Sequence, residues 1–370
     1  MSGPAEFGSD ALQSPDAGTG RPNMPATGPG PGVRDMSPAC FGMVMATGIL
    51  SLAAYNAGRE VAAFALFWLA GAAYALLWVL SVLRALRHTR RFLGDMTDHL
   101  RGPGFFTTVA ASGVLGSQFV ILAQNPGLGF AMWAVTLLLW LLLTYTIFAA
   151  FTVKAQKPGL QKGINGGWLL AVVATQSVAV LSALLAARVD PAMRLDLNFL
   201  ALSMWLCGGM LYIWIISLVF YRYTFFRLLP ADLSPPYWIN MGAMAISTLA
   251  GALLVQNSHD APFLHALAPF LKGFTILYWA TGTWWIPMLL VLGVWRYAYR
   301  RFPLRYDTLY WGMVFPLGMY SAATFQTAHV MGLDFLLSVA EVFFWAAGAA
   351  WTMTMLGFLG TALRRFRSPA

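Results

Sequence analysis

Charged residues are scarce in this chain, and that scarcity says most about its class. Only 10% of the 370 residues are Asp, Glu, Lys or Arg, whereas a soluble domain carries about 25%. Hydrophobic residues make up 59%, and the mean hydropathy is +0.65. So few charges cannot cover the surface of a water-soluble fold of this length. The composition therefore predicts a polytopic membrane protein.

Cysteine is almost absent, with only Cys40 and Cys207 in the chain. Both lie within or beside apolar segments, where a free cysteine behaves as a small hydrophobic residue. Two such residues predict neither a disulfide framework nor a metal site.

Residue groups typical of catalysis are also lacking. The sequence contains no glycine-rich phosphate loop, no nucleophile elbow and no paired carboxylates. No two of the five histidines are spaced to share a helical i, i+4 face, and all lie in or near loops: His88, His99, His259, His265 and His329. The sequence therefore predicts a protein that is not an enzyme and that binds no cofactor or metal.

The net charge of +9 needs an explanation other than nucleic-acid binding. The basic residues occur in short clusters between apolar spans, which is the pattern of membrane topology. We therefore expect a lipid bilayer, and no nucleic acid, as the partner of this chain.

Three regions and ten apolar spans follow from the composition along the chain. Residues 1–36 are rich in Gly, Pro, Ser and Ala and predict a disordered cytoplasmic tail. Residues 37–363 form the predicted transmembrane domain, and residues 364–370 a basic cytoplasmic tail. The ten predicted spans are 38–56, 61–84, 104–123, 129–153, 167–187, 197–223, 237–256, 270–295, 307–328 and 334–360.

The basic residues fix the predicted orientation. All but four of the 23 lysine and arginine residues lie in the terminal segments or in the loops after spans two, four, six and eight. The exceptions are Arg59, Arg188, Arg194 and Lys272. The positive-inside rule places both termini in the cytoplasm of a multi-pass protein of the cell membrane, whether inner or plasma membrane. The short turns on the other side then join the spans into five helical hairpins.

The odd-numbered spans contain an internal repeat, read by placing five aromatic residues in register: Phe41, Phe106, Trp168, Trp238 and Trp311. Seven residues later each span has a small residue: Gly48, Gly113, Thr175, Ala245 and Gly318. Four residues after the aromatic, the set is Met45, Ala110, Val172, Gly242 and Phe315. Small residues let helices approach closely, although any membrane helix also supplies some by chance.

Polarity separates odd from even spans. The odd spans hold most of the mid-span Ser, Thr, Asn and Gln residues, whereas spans two, four and six are rich in Leu, Trp and Phe. Because polar groups avoid lipid, we predict an all-α fold of ten transmembrane helices. Its five hairpins are expected in a quasi-fivefold arrangement, with the odd helices lining a central pore. The predicted lining residues are Met45, Gly48, Ala110, Gly113, Val172, Thr175, Gly242, Ala245 and Gly318.

The ninth span carries the predicted gate. Pro316 lies in its middle and lacks the amide proton of a regular helix, so with Gly312 close by we expect a kink. Phe315 is the one aromatic residue at its level of the repeat, and it is predicted to plug the pore. The alternative is that Phe315 packs against the outer helices beside the kink.

Two motifs carry a resemblance to a known family. The chain resembles the tellurite-resistance/dicarboxylate transporter family, in the superfamily of the plant slow-type anion channels, from Pro38 to about Leu363. The first motif is PACFGMVMATG at 38–48, and the second is WGMVFPL at 311–317. The resemblance implies five hairpins around a pore, a homotrimer, and passage of small anions, inorganic or dicarboxylate, past a phenylalanine at the position of Phe315.

Two other functions remain open at this point. One is a proton-coupled C4-dicarboxylate or sulfite-type carrier on the same fold, in which Glu341 or a histidine carries the proton. The other is a membrane-embedded enzyme or sensor. Lys272 and Glu341 both lie inside the outer ends of even spans, and we expect them to be structural, with Lys272 reaching the surface and Glu341 pairing with it or with water.

Overall fold

The protein is described by a computed structural model that covers residues 32–367, with side chains to residue 364. The predicted tails therefore lie largely outside the described residues. Within the described part the chain is helical and contains no strand. An all-α fold is confirmed for this part of the chain.

Within residues 32–367, ten long helices correspond to the ten predicted spans. They are α1 (Gly42–Asn56), α2 (Glu60–Arg87), α3 (Phe106–Ile121), α4 (Pro126–Val153), α5 (Leu170–Ala186), α6 (Pro191–Phe225), α7 (Ile239–Asn257), α8 (Ala268–Val294), α9 (Trp311–Met331) and α10 (Leu336–Arg367). Short helices lie in the connections at Thr89–Met96, Leu160–Gly163 and Pro262–Ala266, and a π-helical turn at Trp295–Tyr299 follows α8.

Nine of the described helices are both long enough and apolar enough to cross a bilayer. The helix missing from that set is α9, whose 21 residues suffice in length but include Tyr, Thr, Gln and His. Most of its residues are buried among other helices. Protein rather than lipid therefore surrounds α9, and a lower hydropathy is tolerated there.

The odd helices are interior and the even helices exposed. In the membrane-crossing segments of α1, α3, α5 and α7, between 83% and 94% of the residues are buried. In those of the even helices, 17–39% of the residues are buried. Leu, Val and Trp side chains on the even helices are exposed on the outer surface. Such a surface is suited to hydrocarbon rather than water.

Helix contacts follow a regular order along the chain. Each odd helix packs against the even helix that comes directly after it. The odd helices also contact one another in order, α1 with α3, α3 with α5, α5 with α7 and α7 with α9, and α9 packs back against α1.

Each odd helix begins with a 3-10 turn. The five turns are Pro38–Phe41, Gly102–Phe105, Gly166–Leu169, Pro235–Trp238 and Thr308–Tyr310. They contact one another in the same order as the helices that follow them. A Cβ atom on Gly166 would lie 2.4 Å from the Pro236 carbonyl oxygen, so only glycine fits between these two turns. We call this end of the molecule, with the loops that follow the even helices, the basic end.

Buried arginines anchor the basic end. Arg222 donates to the Gln161 carbonyl at 2.8 Å and to the Tyr237 hydroxyl at 2.6 Å, and its Nη2 lies 3.7 Å from Asp232. Arg84 pairs with Asp95. These guanidinium groups tie the ends of α6 and α2 to neighbouring loops, and so they hold fixed positive charge there.

The chain beside both predicted domain boundaries is described by the structure, and the first boundary lies between two 3-10 turns. Val33–Asp35 forms a 3-10 turn in which the Arg34 carbonyl accepts a hydrogen bond from Arg84 and Asp35 pairs with Arg91. At the other end α10 continues to Arg367, beyond residue 363. Arg84 of α2 and Arg91 of the short helix Thr89–Met96 thus hold the segment before residue 37 in place.

Glu341 pairs with Arg59 rather than with Lys272. Arg59 Nη2 lies 3.1 Å from Glu341 Oε1, and the Arg59 guanidinium also lies 4.7 Å from the ring centroid of Trp345. Glu341 and Lys272 are both exposed. An exposed pair of this kind contributes about 0–1 kcal/mol, as expected for a structural role at the outer surface.

Candidate functional site

A cavity lies between the five odd helices, and each of them contributes to its wall. Its empty space is about 600 Å³, including the part open to solvent. The lining residues are Ile49, Leu52 and Asn56 of α1; Gly113, Val114, Ser117 and Ile121 of α3; Ser177, Val180 and Leu184 of α5; Ile246, Leu249 and Leu253 of α7; and Met319, Ala322 and Gln326 of α9. They occupy the middle and the C-terminal parts of the five helices, away from the basic end.

The lining repeats with one spacing. Apart from Gly113, the cavity residues of α1, α3, α7 and α9 lie 8, 11 and 15 positions after the aromatic residue of the repeat, as Ile49, Leu52 and Asn56 do after Phe41. In α5 the same spacing counts from Leu169, one residue after Trp168. Intervals of three and four residues keep one face of each helix on the cavity.

Phe315 lies on this face, one helical turn closer to the basic end. It precedes the cavity residue Met319 by four positions, just as Met45 precedes Ile49 and Gly242 precedes Ile246. Ala110 precedes Val114 in the same way, and in α5 the matching residue is Val173, next to the predicted Val172. Four of the residues at this level are at most 1% exposed: Met45, Ala110, Val173 and Phe315. None of these residues is among those that line the cavity, so the lining begins one helical turn beyond the level of Phe315.

Pro316 packs against α7 beside this level. A Cβ on Gly242 would lie 2.7 Å from Pro316 Cγ and 3.2 Å from its Cα, so the glycine lets the two helices touch. The helix α9 is continuous through Pro316. Gly312, the residue whose carbonyl the proline ring faces, has only ordinary contacts near its Cα, at 3.7 Å or more from a built Cβ.

The predicted small residues lie at contacts between helices. A Cβ on Gly48 would meet Val114 at 2.6 Å, one on Gly113 would meet Ser177 at 2.8 Å, and one on Gly318 would meet Ile49 at 3.0 Å. Of the five, Gly113 also lines the cavity. Ala245 is 2% exposed.

Thr175 contacts an even helix. Its hydroxyl donates to the Ala171 carbonyl at 2.9 Å and accepts from the Trp140 indole of α4 at 2.8 Å. Ser177, two residues later, lines the cavity instead. The predicted lining did not include Ser177 or Gln326. Both could have been found by extending the repeat, because Ser177 lies 8 positions after Leu169 and Gln326 lies 15 positions after Trp311.

The cavity wall is apolar with a few neutral polar groups. Ser117 and Ser177 donate their hydroxyl protons to carbonyls of their own helices, at 2.9 and 2.8 Å. Gln326 donates to Gln256 at 2.7 Å, and Asn56 lies at the end of α1. None of the residues that line the cavity carries a charge. Such a wall holds an ion weakly, as fast passage requires.

Buried arginines and helix N-termini lie together at the basic end. The N-termini of all five odd helices meet there through their 3-10 turns, and each brings partial positive charge. Arg222 and Arg296 are buried at the same end, at 5% and 8% exposure. A mouth of this character attracts anions. Within the residues that the structure describes, no group of three His, Cys, Asp or Glu side chains is placed to hold a metal ion.

Comparison with known proteins identifies the family of this chain and several relatives. Residues 35–359 match the family model described as voltage-dependent anion channel. Two proteins of Methanocaldococcus jannaschii, both named uncharacterized transporters, are 23% and 24% identical to this chain. Each alignment covers 88% of this chain, and they cover 94% and 92% of the relatives. An uncharacterized membrane protein of Mycobacterium tuberculosis is 40% identical over 149 residues, which are 40% of this chain and 75% of that protein.

The family match spans nearly all of the described helices, from the 3-10 turn before α1 into α10. It therefore includes every helix that contributes to the cavity. The chain is an integral, multi-pass membrane protein that belongs to the voltage-dependent anion channel family.

Proposed function

We propose that this protein is a passive anion channel or uniporter, with a central pore between the five odd helices and with Phe315 as its gate. The observation that carries the proposal is the cavity: every odd helix lines it at the same spacing, and it ends one turn before the level of Phe315. An apolar constriction blocks ions because it excludes the water that they need.

The arrangement of hairpins in the proposal is quasi-fivefold. It is supported by the cyclic order of contacts among odd helices and by the pairing of each with its following even helix. We further propose that the basic end faces the cytoplasm of the cell, because basic loops are retained on that side. The homotrimer implied by the resemblance remains a prediction.

A proton-coupled carrier is the second candidate. It is favoured by one observation: the acidic residue Glu341 lies within the apolar helix α10. Against it, Glu341 is exposed and paired with Arg59, and none of the cavity residues titrates. We therefore favour passive flow.

Flux measurements on the purified protein in liposomes separate the two. The channel predicts anion currents that follow the anion's electrochemical gradient, with no uptake driven by a proton gradient alone. Glu341→Gln and, as the matched change at an exposed charge, Lys272→Met should leave the pH dependence of flux unchanged. Proton-driven uptake that Glu341→Gln abolishes, in a normally folded protein, would contradict the channel and support the carrier.

A further inference from the structure

A second cavity lies at the basic end, outside the ring of odd helices. Its empty space is about 510 Å³, including the part open to solvent, and its wall is formed by the end of α8, the turn before α7 and the start of α9. Apolar side chains dominate that wall, among them Leu233, Leu289, Leu304 and Met313. No part of the proposed anion pathway uses this cavity.

One cation lines this apolar cavity. Arg296 is 8% exposed, and Nη1 donates to the Leu233 carbonyl. Its guanidinium carbon lies 5.0 Å from the ring centroid of Tyr297 and 4.4 Å from that of Phe302. The Nε–H of Arg296 is buried and has no acceptor among the described residues. With an unsatisfied donor and no carboxylate partner among the described residues, the Arg296 guanidinium leaves positive charge beside the cavity, which suits an anionic occupant.

The local backbone brings polar groups to the same place. Arg296 and Tyr297 belong to the π-helical turn Trp295–Tyr299, a conformation that is frequent at functional sites. The Tyr297 and Tyr310 hydroxyls lie 2.9 Å apart and form a hydrogen bond. One of the two hydroxyls keeps its own proton free to donate to a further acceptor. Tyr297 and Tyr310 both line the cavity.

We propose that this cavity binds one anionic phospholipid, with the phosphate on Arg296 and an acyl chain against the leucines and Met313. The lipid is favoured as occupant because one wall is apolar and the other carries a single cation, at the end of a membrane-crossing helix. Basic pockets between transmembrane helices at the cytoplasmic side bind anionic lipid headgroups in this way. The occupant would join the end of α8 to the start of the gate helix α9.

Binding is tested on the full chain in an uncharged detergent, by native mass spectrometry and by thermal unfolding. The probes are phosphatidylglycerol, phosphatidylcholine with the same acyl chains, and inorganic phosphate. We expect phosphatidylglycerol to be retained and to raise the melting temperature more than the other two probes. Arg296→Gln should weaken its binding about tenfold or more, the effect of losing one charged hydrogen bond.

A second variant tests the cavity without removing the cation. Gly293 lines the cavity, and a Cβ there would meet nothing within 4 Å, so Gly293→Leu places an apolar side chain at the cavity wall without a clash at its Cβ. It should also weaken phosphatidylglycerol binding, and it decides the matter if Arg296→Gln does not fold. The controls are Gly273→Leu, on the same helix with equally free space, and Arg300→Gln, at an exposed cation.

Three results would overturn the proposal. The first is that Gly293→Leu binds phosphatidylglycerol as the parent does. The second is that phosphatidylcholine binds as well as phosphatidylglycerol, which would mean an apolar contact only. The third is that inorganic phosphate protects the protein as much as the lipid, which would assign the site to a soluble anion. None of these measurements depends on whether the protein conducts.

Discussion

At the scale of single residues, the account rests on the place where α7 and α9 touch. Gly242 lies directly against the ring of Pro316, and Phe315 precedes that proline, one helical turn before the cavity residue Met319. The contact sets how closely the two helices approach, and with it the position of the ring that we propose as the gate.

Gly242→Ala is predicted to destabilise the protein. The added methyl would meet Pro316 at 2.7 Å, and overpacking of this kind costs about 1–3 kcal/mol. A Gly-to-Ala change in an unhindered helix instead gains up to about 1 kcal/mol in helix propensity. The matched control is Gly273→Ala, where a Cβ meets nothing within 4 Å. Thermal unfolding should rank Gly242→Ala below the parent, and equal melting temperatures for the two variants would show that Gly242 is not a close contact.

At the scale of elements, the number of helices and their inner or outer position could be predicted from the sequence. Each apolar span and each basic loop is a continuous segment, so it can be recognised without knowing the contacts between segments. The odd and even helices differ in burial as their composition predicts. The register of α5 was harder, because its cavity spacing counts from Leu169 and not from Trp168, the aromatic residue of the repeat. That offset is set by backbone geometry, which an alignment of aromatics does not contain.

Contacts between distant segments were beyond the sequence for a similar reason. Many partners are compatible with an exposed carboxylate such as Glu341, and only the folded turn after α1 brings Arg59 to it. Likewise, a threonine and a serine two positions apart look equivalent in a helix. Only the packing of Trp140 on Thr175 shows which one turns away from the cavity.

The 3-10 turns at the basic end are predicted to depend on the buried arginines. Arg222→Met removes the donors to Gln161 and Tyr237 and leaves Asp232 without its cation. Breaking a buried charged network costs about 3–5 kcal/mol. The melting temperature should fall sharply, whereas Arg227→Met, at an exposed arginine in the same connection, should change stability by about 0.5 kcal/mol or less. Equal stability of both variants would show that Arg222 does not anchor the turn.

At the scale of the whole molecule, the fixed charges and the helix N-termini lie at one end and the cavity extends toward the other. Orientation in the membrane therefore decides whether the proposed mouth attracts anions from the cytoplasm. The distribution of basic residues predicts that it does.

Cysteine labelling tests this orientation. In a variant without Cys40 and Cys207, Ala123→Cys should react with an impermeant reagent applied outside, and Pro158→Cys only after the membrane is opened. Both positions are exposed. Ala123 is the better site in its turn, because the neighbouring Gln124 has a φ of 48° and accepts a hydrogen bond from Arg188. The reverse labelling pattern would invert the topology.

The measurement that tests the central claim most directly is the anion conductance of Phe315→Ala in planar bilayers. Lowering the barrier by only about 1.4 kcal/mol raises a rate tenfold, so the account predicts a rise of about an order of magnitude or more, with Phe315→Leu in between. The control is Phe325→Ala, on the same helix but outside the cavity lining, which should conduct as the parent does. A correctly assembled Phe315→Ala protein that conducts no more than the parent would contradict the gate.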